Sequence, residues 1–224
     1  MVPVRISLKG IKLGLLEADA IQVEPAAAGL VEELASVAGR LAGRLTVEAV
    51  AAMESIGAVR SMFRAWGLDP SKYRPSSEAL LRRVAQGKGI TPISNVVDIV
   101  NLAQIETGWP MGGYDLGRIH PPVTLRLGGA DERYEGIGRR MWHLGERPVL
   151  ADETGPFGSP ISDSTRTMVS ALSRELLVVI YAPLAAADGA LERTLSRLEQ
   201  RLGQWAAGQN IRRNISPPAA GESV

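Results

Sequence analysis

A mixed α/β (α+β) domain built on one core is the fold class this sequence predicts, and three observations predict it. Val4, Ile6 and Leu8 alternate with Arg5, Ser7 and Lys9, and Ile11, Leu13 and Leu15 continue that period of two beyond Gly10. Helical spacings of three and four then dominate from residue 30 to residue 106. From 121 to 181 the pattern changes to short strands, ending on the unbroken apolar run LLVVIY at 176–181, the mark of a buried central strand. Strand, helices, strands and a final helix, in that order, argue for a single mixed core.

Each element has its own signal. Pro25 closes the first strand region, and Leu30, Leu34, Val37, Leu41 and Leu45 make one amphipathic helix. Thr46 suits the N-cap of a second helix with Glu48 in its first turn. That helix would bury Val59, Met62, Phe63 and Trp66 and stop at Gly67. Asp69-Pro70 reads as a turn, and Pro75 opens a helix over 76–86 that Gly87 and Gly89 break. Ser94 caps a further helix over 94–106, after which Gly108, Pro110, Gly112 and Gly113 call for a loop. Strands are expected at 123–127, 134–137 and 148–150. The last helix starts near Ala186 and presents Leu191, Leu195, Leu198, Leu202 and Trp205 as one stripe. Residues 208–224 are polar and proline-containing, so the domain is expected to span 1–207 with a flexible tail behind it.

Composition narrows the function. The 224 residues carry 25 basic and 24 acidic side chains, a net charge of +1, so any nucleic-acid contact must rest on a local patch. Cysteine is absent, which excludes disulfides, thiolate zinc sites, iron–sulfur clusters and a cysteine nucleophile. His120 and His143 have no partner at metal-ligand spacing, so neither a metal nor another cofactor is expected. No apolar run approaches ~20 residues and the N-terminus does not read as a secretory signal. A cytoplasmic protein that does not engage membranes is therefore the expectation. Lys88 follows Gly87 without the earlier glycine and the Ser or Thr of a phosphate loop, and no nucleophile elbow is present.

Two features stand above this background. Lys72, Arg74, Arg82, Arg83 and Lys88 face the single acid Glu78 between residues 72 and 88. Arg82 and Arg83 are read as sharing one side of a helix end, and with Arg74 and Lys88 they are candidate phosphate contacts. The second feature is a polar stripe. Asn95, Asp98 and Asn101 recur every three residues along an otherwise apolar helix, and buried amides and carboxylates need partners, either backbone or ligand. The sequence Met-Gly-Gly-Tyr-Asp follows at 111–115, where paired glycines admit a close approach. The candidate pocket is Asn95, Asn101, Gly112, Gly113 and Tyr114. Asp98 and Asp115 are the carboxylates that could orient a water, although both could equally fix the loops beside them.

Five ordered segments carry a resemblance. YRPSSEALLRR (73–83), ISNVVDIVNLA (93–103), PMGGYDL (110–116), LADETGP (150–156) and SDSTRTMVSAL (162–172) resemble the B3/B4 domain of the phenylalanyl-tRNA synthetase β subunit, and its free-standing relatives above all. The likeness covers about 71–183. It implies an α/β domain around a sheet-rich core, with a pocket that in the synthetase hydrolyses wrongly attached tyrosine from tRNA without a metal or a covalent nucleophile. Where that pocket has a histidine this chain has Gly112, and no glutamate stands in 155–160. The resemblance thus implies a pocket in the same place with a different selectivity, and no complete tRNA ligase. The leading expectation is a tRNA-recognising module that hydrolyses mischarged aminoacyl-tRNA in trans, with tRNA or aminoacyl-tRNA as partner. The alternative is a non-catalytic binder of an amino acid or similar small ligand.

Overall fold

The computed structural model describes residues 1–216. Two four-stranded sheets form its frame. In the first, β1 (Val4–Ile6) pairs in parallel with β4 (Val123–Leu127), followed by β7 (Pro148–Asp152) and β8 (Gly155–Gly158). The second has the order β10 (Gln209–Ile215), β2 (Ile11–Asp19), β9 (Leu176–Pro183), β3 (Met111–Asp115) and is antiparallel throughout. A separate hairpin joins β5 (Arg133–Glu135) to β6 (Met141–His143).

Strand β9 sits inside the second sheet with all eight residues buried, which is why it is apolar without alternation. The sheet is covered on both faces. Gly14 of β2 lies under α6 (Asp188–Trp205), where a Cβ would come within 2.9 Å of a Leu191 methyl. Gly113 of β3 faces Val100 of α5 (Asn95–Thr107) on that same side. On the other side Tyr114 meets Phe157 of β8 edge-on, with ring centroids 5.1 Å apart, so the two sheets share one core. The remaining helices are α1 (Ala28–Ala42), α2 (Val47–Ala52), α3 (Glu54–Ala65) and α4 (Ser76–Ala85), and α1 and α4 pack against α5. None of the described helices is long and apolar enough to cross a membrane.

The α+β class and the helix caps follow the sequence reading. Thr46 Oγ accepts from Ala49 N at 3.1 Å, and Ser94 Oγ accepts from Val97 N. Three expectations are corrected. The second helix is broken at Met53, whose extended backbone splits it into α2 and α3. Residues 111–115 are not a loop but an edge strand, because every one of them pairs with β9. The tail expected from 208 does not apply to 209–215, which form β10 on the edge of β2. That strand is held by charge where its apolar residues are few: Arg212 meets Glu17 at 3.2 Å and Asp19 at 3.4 Å, and Arg213 meets Glu199 at 2.8 Å. Residues 217–224 lie outside the described part of that predicted tail.

Candidate functional site

A cavity of about 580 Å³ opens between α4, α5, β3 and the segment 161–169. Its walls are mainly apolar, from Ala79, Leu80, Val96, Val97, Val100, Met111, Ile161, Met168 and Val169. Gly113 provides the floor, and with no side chain it leaves the space above β3 open. This size and lining are those of a site for a small organic ligand.

The polar groups fall into two clusters. Gln104, buried on α5, accepts from Ser76 Oγ at 2.6 Å and from Met111 N at 3.2 Å, tying α4, α5 and β3 together. Its amide donates to Asn101 Oδ1 at 3.4 Å, and Asn101, which lines the cavity, has an NH₂ group with no hydrogen-bond partner among the described residues. Across the cavity stands Asp163. Its Oδ1 accepts from Tyr114 Oη at 2.6 Å, and Tyr114 Oη lies 2.9 Å from Tyr181 Oη. Because Tyr114 donates its proton to the carboxylate, Tyr181 must donate to Tyr114, which gives a chain of two hydroxyls ending on one acid. Burial pushes the Asp163 carboxyl up to about 7, against the opposing hydrogen bonds from Tyr114 and from the Ser159 backbone. Burial likewise drives both phenols well above their usual range, so they stay protonated donors.

Two glycines seat this chain. A Cβ at Gly112 would lie 2.1 Å from Tyr114 Oη, and one at Gly158 only 2.3 Å from it. The phenol thus occupies space that β3 and β8 both leave empty. Gly112 and Gly113, adjacent in sequence, serve opposite faces of the sheet.

The predicted site residues are distributed unequally. Asn101 and Gly113 line the cavity. Tyr114 does not: it is fully buried on the opposite face, from which its hydroxyl reaches Asp163 on the cavity wall, while Gly112 only makes room for it. Asn95 is satisfied by backbone, donating to Gln22 O and Trp205 O and accepting from Glu24 N and Val96 N. Asp98 accepts from Ile93 N with both oxygens and is fully buried, its carboxyl raised by desolvation against that backbone bond. Asp115 accepts from Ser173 Oγ at 2.7 Å and from Gly117 N at 3.1 Å, capping the 3-10 turn Leu116–Arg118. Neither carboxylate is on the cavity wall, so the expectation that Asp98 or Asp115 orients a water there gives way to a role in fixing loops.

The basic segment is also divided. Glu78, fully buried, draws in Arg60 at 2.9 Å and Arg74 and Arg82 at 3.7 Å each, so much of the expected charge is neutralised locally. Arg82 and Arg83 diverge. Arg82 reaches back to Glu78 and Val47 O, whereas Arg83 lines the cavity and donates to Gly89 O and Thr91 Oγ. Lys88 is exposed in the turn that follows. Sequence reasoning missed Ser76, Gln104 and Asp163. Gln104 is one further step of three along the same stripe and could have been found. Asp163 carries no periodic signal, and its partner Tyr114 is 49 residues away. Among the described residues no group of three or more His, Cys, Asp or Glu is placed to hold a metal ion.

Fold and site together define a class, an α+β domain whose central sheet carries helices on one face and a second sheet on the other, with a cavity at the helix side. The chain belongs to the B3/4 domain family, whose pattern residues 58–194 match. Relatives are phenylalanine–tRNA ligase β subunits. The one from Chromobacterium violaceum is 30% identical over 118 residues, covering 51% of this chain and 15% of the relative. The one from Xanthomonas campestris pv. campestris strain 8004 is 32% identical over 113 residues, covering 46% and 14%. That from Streptomyces avermitilis is 33% identical over 93 residues, covering 41% and 11%. The chain therefore matches only about a seventh of the length of these relatives. An N-terminal fragment of the phenylalanyl-tRNA synthetase β subunit from Pyrococcus horikoshii aligns with a TM-score of 0.43 at 15% identity, over 55% of this chain and 46% of that one.

Proposed function

We propose that this domain recognises the aminoacylated end of a tRNA, seats the amino-acid side chain in the cavity, and promotes hydrolysis of the ester by water. The observation that carries the reading is Asp163, a carboxyl balanced near neutrality on the wall of an apolar cavity and held by a buried hydroxyl chain. Membership of a family found in tRNA ligase subunits supports the choice of substrate. A cytoplasmic location goes with it.

In this mechanism the ionised Asp163 takes a proton from water as its oxygen bonds to the ester carbonyl carbon. The bond to the ribose oxygen then breaks, and the proton passes on to that oxygen, giving free amino acid and uncharged tRNA. Tyr114 holds the carboxylate in place and Asn101 NH₂ is available to the substrate's polar groups. Of the candidate phosphate contacts Arg74, Arg82, Arg83 and Lys88, Arg83 at the cavity and Lys88 beyond it are the two not drawn to Glu78. The absence of histidine from the cavity lining favours a second reading, a non-catalytic amino-acid binder.

The test is a panel of mischarged tRNAs. Hydrolysis of esters of apolar amino acids is expected, with Asp163→Asn lowering the rate by ~10²-fold or more while the fold is kept. If no ester is cleaved and amino-acid amides still bind, the second reading replaces the first.

A further inference from the structure

A second depression, of about 240 Å³, is lined by Lys72, Tyr73, Arg140, Trp142, His143 and Arg147, with Met141. Three of these side chains are permanent cations and none is a carboxylate, in a chain whose overall charge is only +1. The cations are arranged on aromatic rings. Arg140 lies over Trp142, 5.2 Å from the ring centre. Arg147 lies 4.2 Å from the centre of Tyr73 and donates to its hydroxyl at 2.7 Å, with Lys72 Nζ at 5.3 Å from the same ring. Arg147 also donates to His143 O, pinning the end of β6 to this cluster.

This groove adjoins the cavity. Trp142 packs on Gly136, where a Cβ would lie 2.5 Å from the indole and 3.3 Å from Ser162 Oγ, and Ser162 is part of the cavity wall. Ile137, the next residue of the hairpin, lines the cavity as well and is 56% exposed. One ridge, Gly136 against Ser162, therefore separates a wet basic–aromatic groove from an apolar pocket.

We infer that the groove holds the unpaired nucleotides that lead into the cavity, with one base stacked on the Arg140 guanidinium that covers Trp142 and the backbone phosphates met by Lys72 and the in-plane N–H groups of Arg140. The inference rests on the aminoacyl-tRNA reading above and places its RNA contact on the β5–β6 hairpin and on Lys72 at the start of the basic segment. Flat rings paired with guanidinium groups suit nucleobases, which offer a π face whatever their sequence. An acidic peptide would meet the charge but offers no flat π face to stack on the guanidinium planes.

The experiment follows Trp fluorescence and Kd for the single-stranded RNA 5′-ACCA-3′, and separately measures binding of leucine, isoleucine and phenylalanine amides by calorimetry. Wild type should bind the RNA with quenching. Trp142→Ala and Arg140→Glu should each weaken it tenfold or more, and Arg140→Glu should flatten the salt dependence by ~0.7 or more in slope. Amide binding should be unchanged in both. Arg140 is exposed, so Arg140→Glu keeps the test open should Trp142→Ala fail to fold. Unchanged RNA affinity in Arg140→Glu overturns the inference, as does polyglutamate binding as tightly as the RNA. Amide binding without any RNA binding at 50 mM salt overturns the groove and leaves the cavity reading intact. RNA binding that depends on Arg140 without amide binding does the reverse.

Discussion

In the first half of α5 the polar stripe is closed off by the protein itself, whereas in the second half it is turned on a cavity. Asn95 makes four backbone bonds and Asp98 holds Ile93 N, so both clamp the chain around the helix start. Asn101 and Gln104, two further steps of three, bond each other, Ser76 and Met111, and keep one amide free for the cavity. Polar residues at identical spacing thus serve structure at one end and a site at the other. What separates them is whether backbone of another segment reaches them. Residues 22, 24 and 205 come up to Asn95, while the Asn101 side chain lines the cavity and among the described residues is bonded only by Gln104.

The largest expected effect breaks the structural half. Asn95→Ala strands two carbonyls and two amides and should cost ~3 kcal/mol, a fall in Tm of ~6–12 °C for a domain of this size. Asn101→Ala should change stability by under ~0.5 kcal/mol and weaken amino-acid amide binding instead. Thermal melts beside calorimetry on both variants decide whether the two halves differ as described.

The neighbouring glycines repeat the contrast within two residues. Gly112→Ala drives a methyl into Tyr114 Oη and should cost ~2 kcal/mol as overpacking. Gly113→Ala meets Val100 at 3.6 Å, an ordinary contact, so it should leave the melt nearly unchanged while narrowing the cavity and lowering ligand affinity. Equal destabilisation by both would remove the distinction between the two faces of β3.

These predictions also mark what the sequence made legible. The helix patterns, their caps and the buried strand at 176–181 could be read because each depends on residues three, four or two apart. The polar stripe was legible for the same reason. Its division into clamp and site was not, because Asn95 is satisfied from 71 and 110 residues away. The segment 111–115 read as a loop because two glycines weaken any strand signal, and those glycines exist for Tyr114 and the cavity. The edge strand 209–215 escaped notice because ion pairs to β2 and α6 take the place of an apolar alternation. Asp163 was invisible, since its importance comes from a tyrosine on another strand.

A smaller effect sharpens the account through pH. Asp163 binds its proton more tightly folded, at about 7, than unfolded, at ~3.9. Its contribution is therefore fully present below pH ~4 and is lost as pH rises through 7, the opposite of a salt-bridged carboxylate. Residual contact with water screens part of the shift, leaving ~2 kcal/mol across that window. Asp98, also raised by burial, acts with the same sign, so the quantity to measure is the difference between wild type and Asp163→Asn in denaturant midpoints from pH 4 to 8. The variant should show the flatter curve.

The central claim is that the space between α4, α5 and β3 receives an amino-acid side chain. Its most direct test is an NMR titration of ¹⁵N-labelled protein with apolar amino-acid amides, following backbone and side-chain amides together. Saturable shifts should concentrate at Gly113, Met111 and the Asn101 NH₂ group, with the Asn95 side chain unmoved. Shifts that saturate elsewhere and leave those three in place would contradict the account.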